Sequence, residues 1–387
     1  MRKIHYKVFD FFCGFLFLIN ACAQSKENIS VEPKMPENLK PFVALLEKQQ
    51  KQLQGGAIAI LFQGHIVYKS TFGFQKGHEC PVTDTTLFEL GSVSKSISSM
   101  TVGLMVDRKK LSYDEAYSLP YLKYPVSLRN ILSHTTGYHF SGNTQIEHGL
   151  NRQELLNALA KQSPVCNPGK CFYYSNTLFS LLENIVEIKN ISFHQLIDNL
   201  NSSLNSNNDF AIFPLISGVN IAYPHMKTII NGKEKTKVLP LPEYYPKVVP
   251  PAAGIFASLN GMIKFFRLSF GYKPDLISNS TLNAIQTPVI VANDIFTWSF
   301  NWPINLKYIN SYYAMGWRVL RLKDKPNKEL IFHGGYINGY RAYIGYIPNE
   351  KIGFIMLVNE STEIPVEDGI KLWSIYLPAS ISRPARE

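Results

Sequence analysis

Residues 87–100 read "LFELGSVSKSISSM", and from Ser92 onward the apolar positions Val93, Ile97, Met100, Leu104 and Met105 recur at helical spacing. Ser92 therefore stands at a helix N-terminus, and Lys95 lies one turn in. Residues three apart share a helix face, so the two side chains are neighbours. A serine hydroxyl is a weak nucleophile that needs a base and an oxyanion site. A partly buried lysine with a lowered pKa can take the serine proton, and a charged one still polarises the hydroxyl. The helix start adds free N–H groups and the positive end of its dipole. No other lysine in the chain follows a serine by three residues. The plain alternative is a polar helix start, because Ser-x-x-Lys also arises by chance. The surrounding sequence has to decide between them.

Upstream, Pro41 to Gln52 has an amphipathic pattern with Phe42, Leu45 and Leu46 on one face, and Gly55-Gly56 is expected to end that helix. "AIAILFQGHIVYKSTFGF" (57–74) predicts two strands around a Gln63-Gly64 turn. Downstream, "SLRNILSHTTGY" (127–138) predicts a short helix stopped by Gly137, and "NTLFSLLENIVEIKN" (176–190) predicts one amphipathic helix. Residues 200–250 read as loop-rich. "YAMGWRVLRL", "ELIFHGG", "YRAYIGYIP" and "IGFIMLVN" predict four consecutive strands, and "VEDGIKLWSIYL" a closing helix. The fold class is α/β in the α+β sense: an antiparallel sheet flanked by helices and formed from both chain ends, with a mostly helical insertion. The expected catalytic domain spans 37–375, with 37–115 and 250–375 as its α/β part and 116–249 as its helical part. A tail follows at 376–387.

The segments also run in a familiar order. "LFELGSVSK" resembles the active-site serine segment of the serine β-lactamase and penicillin-binding-protein superfamily, above all its class C-like branch of β-lactamases, D,D-carboxypeptidases, D-aminopeptidases and esterases. "VSLRNILSHTTGY", "NPGKCFYYSNTLFSLLENIVE", "PPAAGIFASLNGMIKFF" and "HGGYINGYRAYIGYIPNEKIGFIMLVN" resemble successive segments of that branch, across about residues 40–375. The resemblance implies a β-lactamase/transpeptidase-like fold and a serine hydrolase that works through an acyl-enzyme. By position, it makes Ser92 the nucleophile, Lys95 its partner, Tyr174 the general base and Asn176 a substrate-binding amide. Tyr-x-Asn also occurs at Tyr308-Ile309-Asn310 and Tyr336-Ile337-Asn338, but only Tyr174 has the Pro-Gly lead-in and the helix after it. A phenol in this role needs nearby cations. The third box is His333-Gly334-Gly335, where penicillin-recognising members carry Lys-Thr-Gly or Lys-Ser-Gly. The resemblance makes His333 and Gly335 substrate-binding residues, and the backbone N–H groups of Ser92 and Tyr336 the oxyanion donors. His134 matches a structural position. Histidine is mostly neutral near pH 7, so this box weakens the anchor for a substrate carboxylate and puts efficient β-lactam turnover in doubt.

Composition bounds the rest. The chain has 387 residues, of which 45% are hydrophobic and 18% charged, enough for a large core. The net charge is +10, but no basic block stands out, so no nucleic-acid partner is expected. No metal-ligand spacing of the His-Glu-x-x-His or Cys-x-x-Cys kind occurs, and no metal or organic cofactor is implied. Residues 1–22 carry Arg2, Lys3 and Lys7, then an apolar run from Val8 to Ile19 that is too short for an ordinary membrane span. This predicts an exported protein with a signal peptide, followed by a polar tether at 23–36. Ile19-Asn20-Ala21-Cys22 also resembles a lipoprotein box, so either Cys22 is lipidated or the signal is simply cleaved. The expected location is the periplasm or a lipid anchor on a bacterial envelope membrane. Cys22 is the one expected membrane contact. Cys166 and Cys171 flank a turn, and form either a local disulfide or two buried thiols. Trp298 and Trp302 either pack or line the cleft. The expected partner is a small peptide or ester, with a peptidoglycan stem peptide ranked first. The expected activity is that of a D,D-carboxypeptidase, D-amino-acid peptidase or penicillin-binding-type enzyme; the rivals are an esterase or β-lactamase of the same fold, and a non-catalytic envelope protein that binds cell-wall ligands or acts as a scaffold.

Overall fold

The computed structural model describes residues 34–213, 215, 218, 220–230, 232–292, 309–322 and 328–377. The expected signal segment, Cys22, most of the expected tether, Trp298, Trp302, Tyr308 and the tail beyond 377 lie outside them.

A nine-stranded sheet organises the fold. Its strands are β1 (Gly55–Phe62), β2 (His65–Lys76), β3 (Glu79–Pro81), β4 (Ile290–Val291), β5 (Ile309–Tyr313), β6 (Arg318–Leu322), β7 (Glu329–Ile337), β8 (Tyr340–Ile347) and β9 (Ile352–Val358). The spatial order is β4-β5-β6-β7-β8-β9-β1-β2-β3. The two chain ends meet in the middle, where β1 pairs antiparallel with β9 from Gly56↔Val358 to Phe62↔Ile352. The turn between β1 and β2 is Gln63-Gly64, with φ of 52° and 80°, the backbone a two-residue hairpin of matching twist requires.

Alternation along β1 puts Ala57, Ala59 and Leu61 on one face and Ile58 and Ile60 on the other. The second face is covered by α1 (Lys40–Gln49) through Leu39, Phe42 and Leu46, and by the closing helix through Trp373. The first face carries the large core. There α2 (Ser94–Asp107) packs with a helical region: α3 (Leu128–Leu132), α4 (Asn143–Glu147), α5 (Arg152–Ala160), α6 (Asn176–Phe179), α7 (Leu182–Ile188) and α8 (Phe193–Ser203). Then come α9 (Tyr244–Val248), α10 (Pro250–Ala253), α11 (Leu259–Ser269), α12 (Asn279–Gln286) and the closing α13 (Ile364–Tyr376). Among the described residues no helix is long and apolar enough to cross a membrane.

Five local expectations need correction. Gly55-Gly56 does not stop α1, which gives way to a short 3-10 turn at Gln50–Gln52. The glycines open β1 instead, because a Cβ on Gly55 would sit 2.5 Å from the Phe74 carbonyl oxygen and one on Gly56 2.6 Å from that of Leu357. Residues 313–322 are not one strand. Gly316, at φ 74°, makes a turn between β5 and β6, where a Cβ would lie 2.4 Å from the Lys95 carbonyl oxygen. The helix expected over 176–190 is broken at Ser180-Leu181, where Arg152 takes the Ser180 carbonyl and the Asn184 side chain. Gly137 does not end α3, since His134 already turns left-handed at φ 58°. The stretch 200–250 holds a hairpin, His225–Ile230 with Lys233–Val238, that Asn231-Gly232 could have announced.

Candidate active site

The turn that carries Ser92 is fixed by close backbone contacts. Gly91, at φ 51°, starts a 3-10 turn through Val93 that runs into α2. The Leu90 N–H donates to the Ile255 carbonyl, and the Ile255 N–H donates to Ser94 Oγ. β7 lies directly on this turn. A Cβ on Gly335 would sit 1.9 Å from the Leu90 carbonyl oxygen, and one on Gly91 2.8 Å from the Tyr336 nitrogen. Only glycine at both points lets the strand approach, which brings the Tyr336 amide beside Ser92.

Lys95 is completely buried. Its Nζ lies 3.2 Å from Ser92 Oγ, 2.6 Å from Asn176 Oδ1 and 2.9 Å from the Ala252 carbonyl oxygen. Three acceptors match the three protons of an ammonium. Burial and the Arg318 charge oppose that ammonium and hold the pKa well below the usual lysine range. The proton is thus weakly held, and a neutral amine here accepts from the Ser92 hydroxyl. Asn176 is oriented from both ends, because its Nδ2 donates to Asn143 Oδ1 at 3.0 Å.

Tyr174 sits between two cations. Lys95 Nζ is 4.7 Å from its ring centroid, and the Arg318 guanidinium carbon 5.4 Å. Positive charge on this scale favours a negative phenol oxygen once the proton leaves. The ring is placed by His134, whose centroid is 4.4 Å away. His134 Nδ1 accepts the Ser175 N–H at 3.2 Å, so the neutral ring carries its proton on Nε2, which has no partner among the described residues. Burial pushes its pKa well down. The structure joins Cys166 and Cys171 in a disulfide just before Tyr174.

His333 is 2% exposed and lines the cleft, yet offers a substrate neither ring nitrogen. Nδ1 donates to the Gly334 carbonyl at 2.8 Å, leaving Nε2 to accept the Tyr313 hydroxyl at 3.0 Å. Burial, then Arg318 and Lys95, hold it neutral. Its contribution is shape. The fixed charge comes from Arg318, which sequence reasoning missed. Arg318 lies on β6 opposite Phe332, one residue before the third box, and is 3% exposed. Its signal was indirect: a third box without a lysine leaves the positive charge to a neighbouring strand.

Ser92, Tyr174, Asn176, His333 and Arg318 thus share one cleft of about 620 Å³ with Tyr336. Among the described residues no group of His, Cys, Asp and Glu is arranged to hold a metal. The chemistry available is nucleophilic: a serine, a weakly protonated lysine beside it, a tyrosine flanked by cations and a glycine-lined strand edge.

Known proteins are similar in sequence and in fold. A β-lactamase of Providencia stuartii is 25% identical over 346 residues, covering 82% of this chain and 85% of its own. Penicillin-binding protein 4 of Amycolatopsis lactamdurans is 22% identical, covering 81% of this chain and 82% of its own. Among solved structures, the octameric penicillin-binding protein homologue from Pyrococcus abyssi superposes with a TM-score of 0.69 at 22% identity, over 88% of this chain and 76% of its own. A class C β-lactamase mutant does so with a TM-score of 0.65 at 21% identity, over 87% and 96%. The Beta-lactamase family model matches residues 38–372, so this chain belongs to the β-lactamase family of serine hydrolases.

Proposed function

We propose that the protein is an exported hydrolase that cleaves D-amino-acid peptides through an acyl-enzyme on Ser92, as a D,D-carboxypeptidase or related D-peptidase. In the first step Ser92 Oγ attacks the carbonyl carbon and gives its proton to the Tyr174–Lys95 pair. The carbonyl electrons move to an oxygen held by the Ser92 and Tyr336 N–H groups. Collapse breaks the C–N bond, and the leaving amine takes the proton back. Water then repeats the sequence on the ester and frees Ser92.

The observation that carries this reading is the buried lysine hydrogen-bonded at once to Ser92 and Asn176, with Tyr174 over its ammonium. Arg318 favours a D-peptide. It stands on the Tyr174 side, where the leaving group collects its proton, so a C-terminal carboxylate there meets a fixed cation. An ester ranks second. β-Lactam turnover is favoured by the relatives named β-lactamase. It is disfavoured by a third box whose histidine is neutral and engaged within the protein. Export rests on the sequence of residues 1–22 alone, with Cys22 lipidated or the signal cleaved, and a peptidoglycan stem peptide suits that location.

The test is intact-mass spectrometry after incubation with a penicillin and, separately, a fluorophosphonate, beside Ser92→Ala. A penicillin adduct lost in Ser92→Ala supports the peptidase. A fluorophosphonate adduct alone, with penicillin left intact in solution, points to an esterase. Disappearance of penicillin points to a β-lactamase. No adduct on folded protein returns the chain to the class of binding proteins.

A further inference from the structure

The cleft holds a second buried arginine that the mechanism above does not use. Arg341 lies on β8 opposite Tyr336, with its guanidinium carbon 5.6 Å from the Tyr336 ring centroid. It lines the cleft and is 6% exposed. One guanidinium nitrogen donates to Glu363. Nε is buried and has no partner among the described residues. A guanidinium has five donors in a planar fork, and one carboxylate oxygen leaves most of them unused. Burial weakens its hold on charge, with Glu363 opposing that effect. Glu363 is a loose counter-ion, because its side chain is 61% exposed. The carboxylate on the cleft lining, Glu147, accepts the Tyr245 hydroxyl at 2.8 Å.

The direction of the substrate follows from the sheet. β6 pairs with β7 only as far as Phe332, so among the described residues His333 to Ile337 pair with β8 alone and present a free edge. An extended peptide can add to such an edge. The leaving group lies toward Tyr174 and Arg318, because it takes its proton there. The acyl half then runs the other way, past Tyr336, toward Ile337, Asn338 and Arg341.

We propose that Arg341 is an acyl-side carboxylate subsite, and that the preferred substrates carry an acidic group on the acyl half. An incoming carboxylate occupies the unused donors of the fork and competes with Glu363. This rests on the acyl-enzyme reading.

The test is the rate of Ser92 labelling by two fluorophosphonates whose chains end in a carboxylate or in the matching carboxamide. Fluoride departs, so the chain occupies the acyl side. In the native protein the carboxylate probe is expected to label faster by roughly tenfold or more, the scale of a charge-assisted hydrogen bond. Arg341→Gln should bring the ratio close to one, and Arg341→Lys should leave it intermediate, because a lysine keeps the charge without the fork. Glu363→Gln, a substitution at an exposed side chain, should raise the ratio by removing the competitor. Labelling by the carboxamide probe shows that each variant is folded and competent. Equal rates for the two probes in the native protein, or a ratio unchanged by Arg341→Gln, overturn the subsite while the hydrolase stands. Failure of both probes to label folded native protein overturns the hydrolase reading and takes the subsite with it.

Discussion

Replacing Arg318 by Gln tests whether the charge missing from the third box has moved to the neighbouring strand. The guanidinium carbon is 5.4 Å from the Tyr174 ring centroid, which at an effective dielectric constant of about 20 gives an interaction near 3 kcal/mol. That corresponds to roughly a hundredfold in rate at neutral pH. The figure is an upper bound. Arg318 also lowers the Lys95 pKa, so without it Lys95 holds its proton more firmly and restores part of the field at Tyr174. The expected outcome is a fall of about thirtyfold to a hundredfold in kcat/KM at pH 7, measured on an ester or D-peptide substrate. The acid limb of the pH profile should move to higher pH, so that activity recovers at alkaline pH. Arg318→Lys should lose far less, because it keeps the charge. A loss in Arg318→Gln that is the same at every pH and appears only in KM would refute the argument, leaving Arg318 as a substrate contact without influence on Tyr174. Activity unchanged at pH 7 would refute both roles.

Three further outcomes follow from distances and burial. Gly335→Ala places a Cβ 1.9 Å from the Leu90 carbonyl oxygen, so it should destabilise the fold by about 1–3 kcal/mol and slow Ser92 labelling more than tenfold, read by thermal melting and probe kinetics. Cys166→Ala with Cys171→Ala opens a bridge of sequence separation 5, which should remove about 2 kcal/mol of stability by loop entropy. The same variant should keep kcat within about threefold, because the Tyr173 N–H to the His134 carbonyl, the Gly169 N–H to the Thr135 carbonyl and the Val165 N–H to the Gly137 carbonyl still hold the segment before Tyr174. His333 is buried with its pKa well below 6.5. Below 6.5 the unfolded chain binds the proton that the native histidine refuses, so this group's contribution to stability is lost as pH falls, by up to about 2 kcal/mol at pH 5. His333→Gln should therefore melt with a shallower decline between pH 7 and pH 5 than the native protein, and an identical decline would show that His333 is not held neutral.

The reach of the sequence is clearest at Ser92 and Lys95. Their partnership depends on three residues of one helix, and helix geometry is local, so spacing was enough to place Lys95 Nζ against Ser92 Oγ. The sheet built from both ends was legible for a similar reason. β1 and β9 are long apolar runs buried on both faces, and such runs read as strands wherever they fall in the chain. Two of the misreadings share one cause. Gly55 and Gly316 look like breaks in a local pattern, but each is a glycine because another segment's backbone passes within 2.5 Å of where its Cβ would be. That neighbour is remote in sequence, so no window around the glycine contains it.

Arg318 shows the same limit acting on chemistry. As a sequence, "GWRVLRL" offers an arginine in a strand pattern and nothing more. Its meaning comes from the fold: the Gly316 turn pins the start of β6 against α2 at Lys95, and the Arg318 guanidinium ends 5.4 Å from the Tyr174 ring. The third box therefore needs no lysine of its own, provided the neighbouring strand delivers a cation. The field at Tyr174 is set by where charge sits in space, and a motif records only one of the ways to put it there.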